Sequence, residues 1–272
     1  MQVMSGSLPR AFKVAEVRQE NAYTKTFVLD GALPAAPGQF VMAWLPDMEE
    51  KPFSLSNADP ASLTVAAVGP FSRALHRLQV GDLLWLRGPL GRGFCLPPMG
   101  SEPAHYLLVG GGYGVAPLLF LARQLVAGGH RVSQVIGARS AQDLLLVEDF
   151  RALGVSLWLV TEDGSAGMQG LATDALDLAI AGQATQPAMV YACGPEGMLQ
   201  AVAAYCRTAN LPAQFSWEAY MRCGMGLCGS CEVGQGWLTC LDGPVFPFDP
   251  TVVPPAELGD KAEDGGNRFP FA

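Results

Sequence analysis

The chain has 272 residues, half of them hydrophobic and 15% charged, a balance that supports sizeable cores, suits two domains or one domain with appendages, and excludes global disorder. Its formal net charge of −8 repels phosphate backbones and makes nucleic acid a poor partner. The apolar run Val115–Ala127 is broken by Arg123 and Gln124, short of a membrane span, and Met1–Arg10 lacks the pattern of a signal peptide, so the cytoplasm is the expected location.

The first segment, residues 8–98, reads as short strands at Phe12–Val17, Thr24–Leu29, Gln39–Trp44, Phe53–Ser56, Leu63–Ala67 and Leu83–Arg87. Turn formers such as Pro37-Gly38 and Gly81-Asp82 separate them, and one short helix is predicted near Ser72–Leu78. This spacing predicts a small antiparallel barrel. Within it, Lys51-Pro52-Phe53-Ser54-Leu55-Ser56 combines a cation, a proline-fixed backbone and two hydroxyls. A cation can pair with a pyrophosphate, and hydroxyls or amides can bond a flavin ring edge. Gly69-Pro70-Phe71-Ser72 offers a second phosphate position at a helix start. Both stretches are equally compatible with an ordinary strand and an ordinary N-cap.

Leu96-Pro97-Pro98-Met99-Gly100-Ser101 marks a boundary. Residues 102–216 then change rhythm. Strands at His105–Val109, Val132–Ile136, Val155–Val160, Ala188–Ala192 and Ala213–Trp217 alternate with helices at Val115–Ala127, Leu144–Leu153, Leu171–Ala181 and Glu196–Ala209. Such alternation predicts a parallel sheet flanked by helices. Gly110-Gly111-Gly112-Tyr113-Gly114 lies between the first strand and the first helix, where a dinucleotide pyrophosphate sits. A glycine-rich loop alone is a weak signal, and GGGxG differs from the GxGxxG fingerprint. Cys193-Gly194-Pro195 and Thr161-Glu162-Asp163 end other strands and belong to the same carboxyl edge. Taken singly, Cys193 reads as a small buried residue, and Glu162 and Asp163 as solvated loop carboxylates.

Four of the seven cysteines fall in residues 217–250, as Cys223, Cys228, Cys231 and Cys240 in the pattern C-x4-C-x2-C-x8-C. An odd count with one dense cluster favours metal ligation over disulfides. Three ligands in one glycine-rich loop, with the fourth on a returning strand, match a 2Fe–2S site. Zinc is the alternative, but zinc modules usually use two separated C-x2-C knuckles. The tail, 251–272, is rich in Pro, Gly and charge and is expected to pack loosely or be disordered.

In this order KPFSLS, VGPFSRAL, GGGYGVAPL, TEDGSAGMQG, YACGPEGML, EAYMRCGMGLCGSC and CLDGPVF resemble the ferredoxin–NADP reductase superfamily. Within it, the closest resemblance is to the electron-transfer subunits of type B dihydroorotate dehydrogenases. That resemblance covers about Leu8 to Pro250. It implies an FAD-binding barrel, an NAD(H)-binding α/β domain and a small C-terminal 2Fe–2S module. Lys51, Pro52, Phe53, Ser54 and Ser56 would contact FAD, with Gly69 and Ser72 near its phosphates. Gly111, Gly112 and Gly114 would face the nicotinamide cofactor, with Cys193 and Gly194 near its ring. Relatives usually carry arginine where this chain has Lys51, and lysine keeps the charge but loses the bidentate fork. The eight residues before Cys240 are short for the resemblance and suggest a trimmed last hairpin. The implied partner is an FMN-containing catalytic subunit, in a heterotetramer. Alternatives are a subunit of an NADH-dependent ferredoxin–NADP reductase or sulfide dehydrogenase and, in another class, a non-catalytic redox sensor.

Overall fold

Alternation of apolar and polar side chains builds the first half of the molecule. In β1 (Arg10–Asn21), Phe12 and Val14 are buried while Ala11 and Lys13 face water. The strand is shared: Arg10–Lys13 pair with β7 (Leu83–Leu90), and Val14–Asn21 pair with β2 (Thr24–Leu29). A register shift between Val14 and Glu16 accompanies this change of partner and bends the strand. With β3 (Phe40–Trp44), β4 (Lys51–Ser54), β5 (Asn57–Ala58) and β6 (Ala61–Ala66), the antiparallel order is β4-β3-β7-β1-β2-β6-β5. The sheet curls until Ser56, just past β4, donates its N–H to the Ser62 carbonyl of β6 at 2.9 Å. Phe27, Leu29, Val41, Leu63, Val65, Leu84 and Leu86 fill the interior, each such side chain stabilising the fold by about 1.5–3 kcal/mol. Sequence places β4 two residues later than observed. Pro52 is accommodated because β4 is an edge strand opposite Met42. Helix α1 (Pro70–Leu75) also starts early, since Pro70 occupies its first turn and the Ser72 hydroxyl accepts the Gly69 N–H at 2.9 Å.

The computed structural model describes residues 8–234, 236–248 and 250, so the expected loose tail lies outside the described residues. In the second half, all seven residues of β8 (His105–Gly111) are buried, as a strand covered on both faces requires. It leads into α2 (Val115–Ala127), then β9 (Arg131–Ala138), α3 (Val147–Ala152), β10 (Ser156–Thr161), β11 (Met168–Gln169), α4 (Leu176–Ala181), β12 (Met189–Cys193), α5 (Glu196–Ala209) and β13 (Ala213–Ser216). The sheet order is β11-β10-β9-β8-β12-β13, all parallel. Direction of winding reverses beside β8, so the crevice at its carboxyl end is the expected ligand position. Helix α3 is shorter than predicted because Leu146 adopts φ +57 and interrupts the turn before it. Helix α4 is preceded by 3-10 geometry at Ala172–Ala175.

A seventh strand, β14 (Val245–Phe248), pairs antiparallel with β13 at the sheet edge. Sequence reading groups it with the cysteines. The cysteine segment is therefore a loop inserted between the last two strands of the nucleotide sheet. Its neck is fastened where the Trp217 N–H meets the Pro244 carbonyl at 2.9 Å.

Candidate functional site

A cleft of about 570 Å³ opens at the carboxyl end of β8, within the range of small-molecule sites. Gly111 and Gly112 line it together with Tyr113, Pro195 and Met198. Gly111 sits close against Met198, where a Cβ would lie 2.7 Å from the Met198 sulfur and push that side chain aside. Gly112 has φ +54 with open space before it, so its backbone is free to meet a ligand. Gly114 is packed hardest: a Cβ there would sit 2.4 Å from the Cys193 carbonyl oxygen. Gly194 stands behind Gly111, against Met198, rather than on the cleft wall. At the far rim Arg139 pairs with Asp143 at 3.5 Å, and Glu162 lines the same cleft.

A second cleft of about 240 Å³ lies between barrel and sheet. Pro52, Phe53 and Ser54 form its barrel wall; Gly114, Pro117 and Cys193 form the opposite wall. Ala66, Val68 and Tyr113 line both clefts, which are therefore neighbours. The structure does not bring Lys51, Ser56, Gly69 or Ser72 to these walls. Lys51 pairs with Glu49 at 3.1 Å and lies over the Tyr220 ring. Ser56 is buried, and its hydroxyl has no hydrogen-bond partner among the described residues. Ser72 spends its hydroxyl on the Gly69 backbone. Gly69 fronts open space.

The cysteine loop folds around positive-φ glycines at 224, 226 and 229, which let it curl tightly. Amide hydrogens turn inward to sulfur: Gly226 N–H to Cys240 Sγ at 3.2 Å, and Leu227 N–H to Cys223 Sγ at 3.4 Å. Among the described residues no three such side chains converge on one ion position. The Cys228 thiol neighbours Cys223, and the Cys240 thiol neighbours both Cys231 and Cys223. A bridge between Glu232 and Leu238 turns the chain back, so the short spacing still returns Cys240 to Cys231. Hydrogen bonds, foremost from Ser230, bring the Cys228 thiol down to about 6, whereas burial pushes Cys240 up to about 12. Cys231 and Cys240 pack with Phe40, Met42 and Met221. Phe40 and Met221 also line the smaller cleft.

Two family models match the chain: residues 218–251 match the iron–sulfur cluster binding domain of dihydroorotate dehydrogenase B, and residues 108–204 match the oxidoreductase NAD-binding domain. A probable dihydroorotate dehydrogenase B (NAD(+)) electron transfer subunit of Methanothermobacter thermautotrophicus is 39% identical, over 98% of this chain and 99% of that one. The chain belongs to the family of dihydroorotate dehydrogenase B electron transfer subunits. Among solved structures, a chain of an NADH-dependent reduced ferredoxin–NADP oxidoreductase superposes with TM-score 0.75 and 28% identity, covering 90% of each chain. The flavohem-like FAD/NAD binding domain of a Vibrio cholerae nitric oxide dioxygenase gives TM-score 0.62 and 25% identity, covering 74% of this chain and 94% of that one. No helix among the described residues is long and apolar enough to cross a membrane.

In this member of the family, sequence reading passes over Glu218. It directly follows Trp217 and lines the smaller cleft beside Cys193. Its carboxylate accepts a 3.4 Å hydrogen bond from the Tyr113 hydroxyl. The side chain reaches solvent at the mouth, yet protein crowds it closely enough to push its pKa upward. Its position after the last parallel strand was the available signal. Burial likewise pushes Cys193 up to about 12, so it presents a neutral thiol to the cleft. Cys206 is also buried and raised to about 12. Iodoacetamide at pH 8 should therefore label exposed Cys95 in the native chain and spare Cys193 and Cys206. Peptide mass spectrometry reads this directly; rapid labelling of Cys193 would contradict the assigned burial.

Proposed function

We propose that this chain carries electrons between NAD(H), FAD and a 2Fe–2S cluster and passes them to or from an FMN-containing catalytic subunit that oxidises dihydroorotate. Residues 8–98 would hold FAD, 102–216 NAD(H), and 217–250 the cluster. One observation carries the reading: the three places touch in series. Tyr113 joins the larger cleft to the smaller, and Phe40 and Met221 join the smaller cleft to the cysteines. A bound flavin supplies the conversion between two-electron exchange with nicotinamide and single-electron exchange with iron–sulfur.

The chain's own residues position and shield. Pro52, Phe53 and Ser54 would hold the flavin ring, with the unpartnered Ser56 hydroxyl, Lys51, Gly69 and Ser72 toward its remaining length. Gly111, Gly112 and Gly114 would let the nicotinamide dinucleotide approach the backbone, with Gly194 supporting Gly111 and neutral Cys193 excluding water. Cys223, Cys228, Cys231 and Cys240 would hold the irons, and the inward amides would favour the thiolates. Tyr220, Leu227 and Leu241 are exposed apolar side chains of the same segment as exposed Cys228 and would offer the partner an apolar docking face. The cytoplasm is the matching location.

Arg139 at the far rim is already paired with Asp143, and Glu162 adds a second carboxylate. A 2′-phosphate would meet net negative charge there, so NADH is the cofactor. Anaerobic titration of the FAD-loaded, cluster-loaded chain tests both points. NADH should bleach the flavin and then produce the reduced-cluster electron paramagnetic resonance signal, with NADPH at least about 10-fold less efficient, a difference of roughly 1.4 kcal/mol. Absence of flavin bleaching would refute the function; equal use of NADPH would refute only the rim assignment.

A second reading shares this chemistry. The 0.75 superposition on the ferredoxin–NADP oxidoreductase chain favours a larger iron–sulfur flavoprotein as partner. Co-purification decides: an FMN barrel supports the first reading, an iron–sulfur flavoprotein the second.

A further inference from the structure

Arg87 is the charged side chain that the barrel core does not explain. On β7, Leu84 and Leu86 point into the barrel interior. Arg87 points the other way and is still only 4% exposed. Its guanidinium makes a forked contact with Glu50, at 3.2 and 3.1 Å from Nε and 2.6 Å from Nη2. The same Nη2 donates to the Cys223 carbonyl at 2.8 Å, 136 residues along the chain. Gly224, at φ +64, leaves room for this approach: a Cβ there would lie 3.0 Å from Met42 and 3.5 Å from Nη2. Burying such a pair is costly and gives a barrel little that apolar packing would not. Something other than barrel stability keeps it.

We infer that Arg87, braced by Glu50, is a positioning residue for the cluster: it clamps the cysteine loop to the flavin barrel and sets the cluster's reduction potential. The inference rests on the proposed role of Cys223 as an iron ligand. The Cys223 sulfur accepts the Met225 and Leu227 amides, so fixing its carbonyl fixes the start of that amide cradle. The electrostatic part follows from charge. A cluster takes up one negative charge on reduction, and a fixed cation close by favours that reduced form. Glu50 opposes this, but the guanidinium stands between the carboxylate and the loop.

Redox potentiometry followed by electron paramagnetic resonance, with iron counted per chain, tests the inference on the full FAD-loaded protein. Arg87→Gln removes the cation and leaves the carboxylate, so the midpoint should move negative. Glu50→Gln frees the cation from its opposing charge, so the midpoint should move positive. Arg87→Lys should restore most of the wild-type value while broadening the signal, because lysine keeps the charge and loses the fork. A purely structural clamp predicts loss of iron without opposed shifts. Midpoints that move together or stay put in the two glutamine variants would overturn the inference. If Arg87→Gln binds no iron, Glu50→Gln decides alone: a rise supports the inference and no change or a fall refutes it. A wild-type chain that shows no 2Fe–2S signal would refute the cluster assignment itself, a separate failure.

Discussion

In a Cys228→Ser chain, electron delivery to the catalytic partner should fall by more than about 100-fold, beyond the ~10–100-fold that loss of an outer-shell contact costs a metal site. NADH should still bleach FAD at the wild-type rate. The two halves of this expectation come from different parts of the structure. Cys228 is the exposed thiol of the four and neighbours Cys223, so serine would weaken one end of the proposed ligand set. Apart from Pro244 at the neck, neither cleft includes any residue beyond Met221 within the cysteine loop, so the nicotinamide–flavin step keeps its walls. Stopped-flow absorbance with an iron assay separates them. Loss of bleaching in a folded, FAD-loaded variant would mean that electrons do not pass in the proposed order.

Gly114→Ala should have the opposite selectivity. The added methyl would lie 2.4 Å from the Cys193 carbonyl oxygen, 2.6 Å from its carbon and 2.7 Å from the Gly194 Cα. All three obstacles are backbone, so no side chain can swing aside. Either α2 or the end of β12 must move, at a cost of about 1–3 kcal/mol in stability. Gly114 lines the smaller cleft beside Tyr113, which lines both, and a displacement near 1 Å costs on the order of 100-fold in a hydride transfer. Slow bleaching by NADH with full iron content is the expected phenotype. Thermal denaturation measures the stability loss, and a variant with wild-type bleaching would show that this close approach does not matter.

The parts of the molecule that sequence exposes best are those whose cause is local. Continuous apolar runs such as β8 and alternation such as Phe12 and Val14 report burial on two faces or one. The cysteine spacing reports the glycine-rich loop that gathers the thiols. What stayed hidden depends on residues far apart in the chain. Strand β14 contains Pro247 and is defined by pairing to β13, some thirty residues earlier. Glu218 acquires its surroundings from Tyr113 and Cys193. Arg87 reads as one more strand residue until the Cys223 carbonyl reaches it. Lys51 shows the reverse case: its motif suggests a phosphate contact, while the folded chain gives its ammonium to Glu49.

The position of the cysteine loop between β13 and β14 has a mechanical consequence. Both ends leave from adjacent strands of one sheet, and the neck is closed by the Trp217–Pro244 hydrogen bond. A segment held at both ends cannot swing as a carrier arm between donor and acceptor. The iron–sulfur group of this chain is instead a stationary terminal. Electron exchange there then depends on how closely the partner seats against the loop.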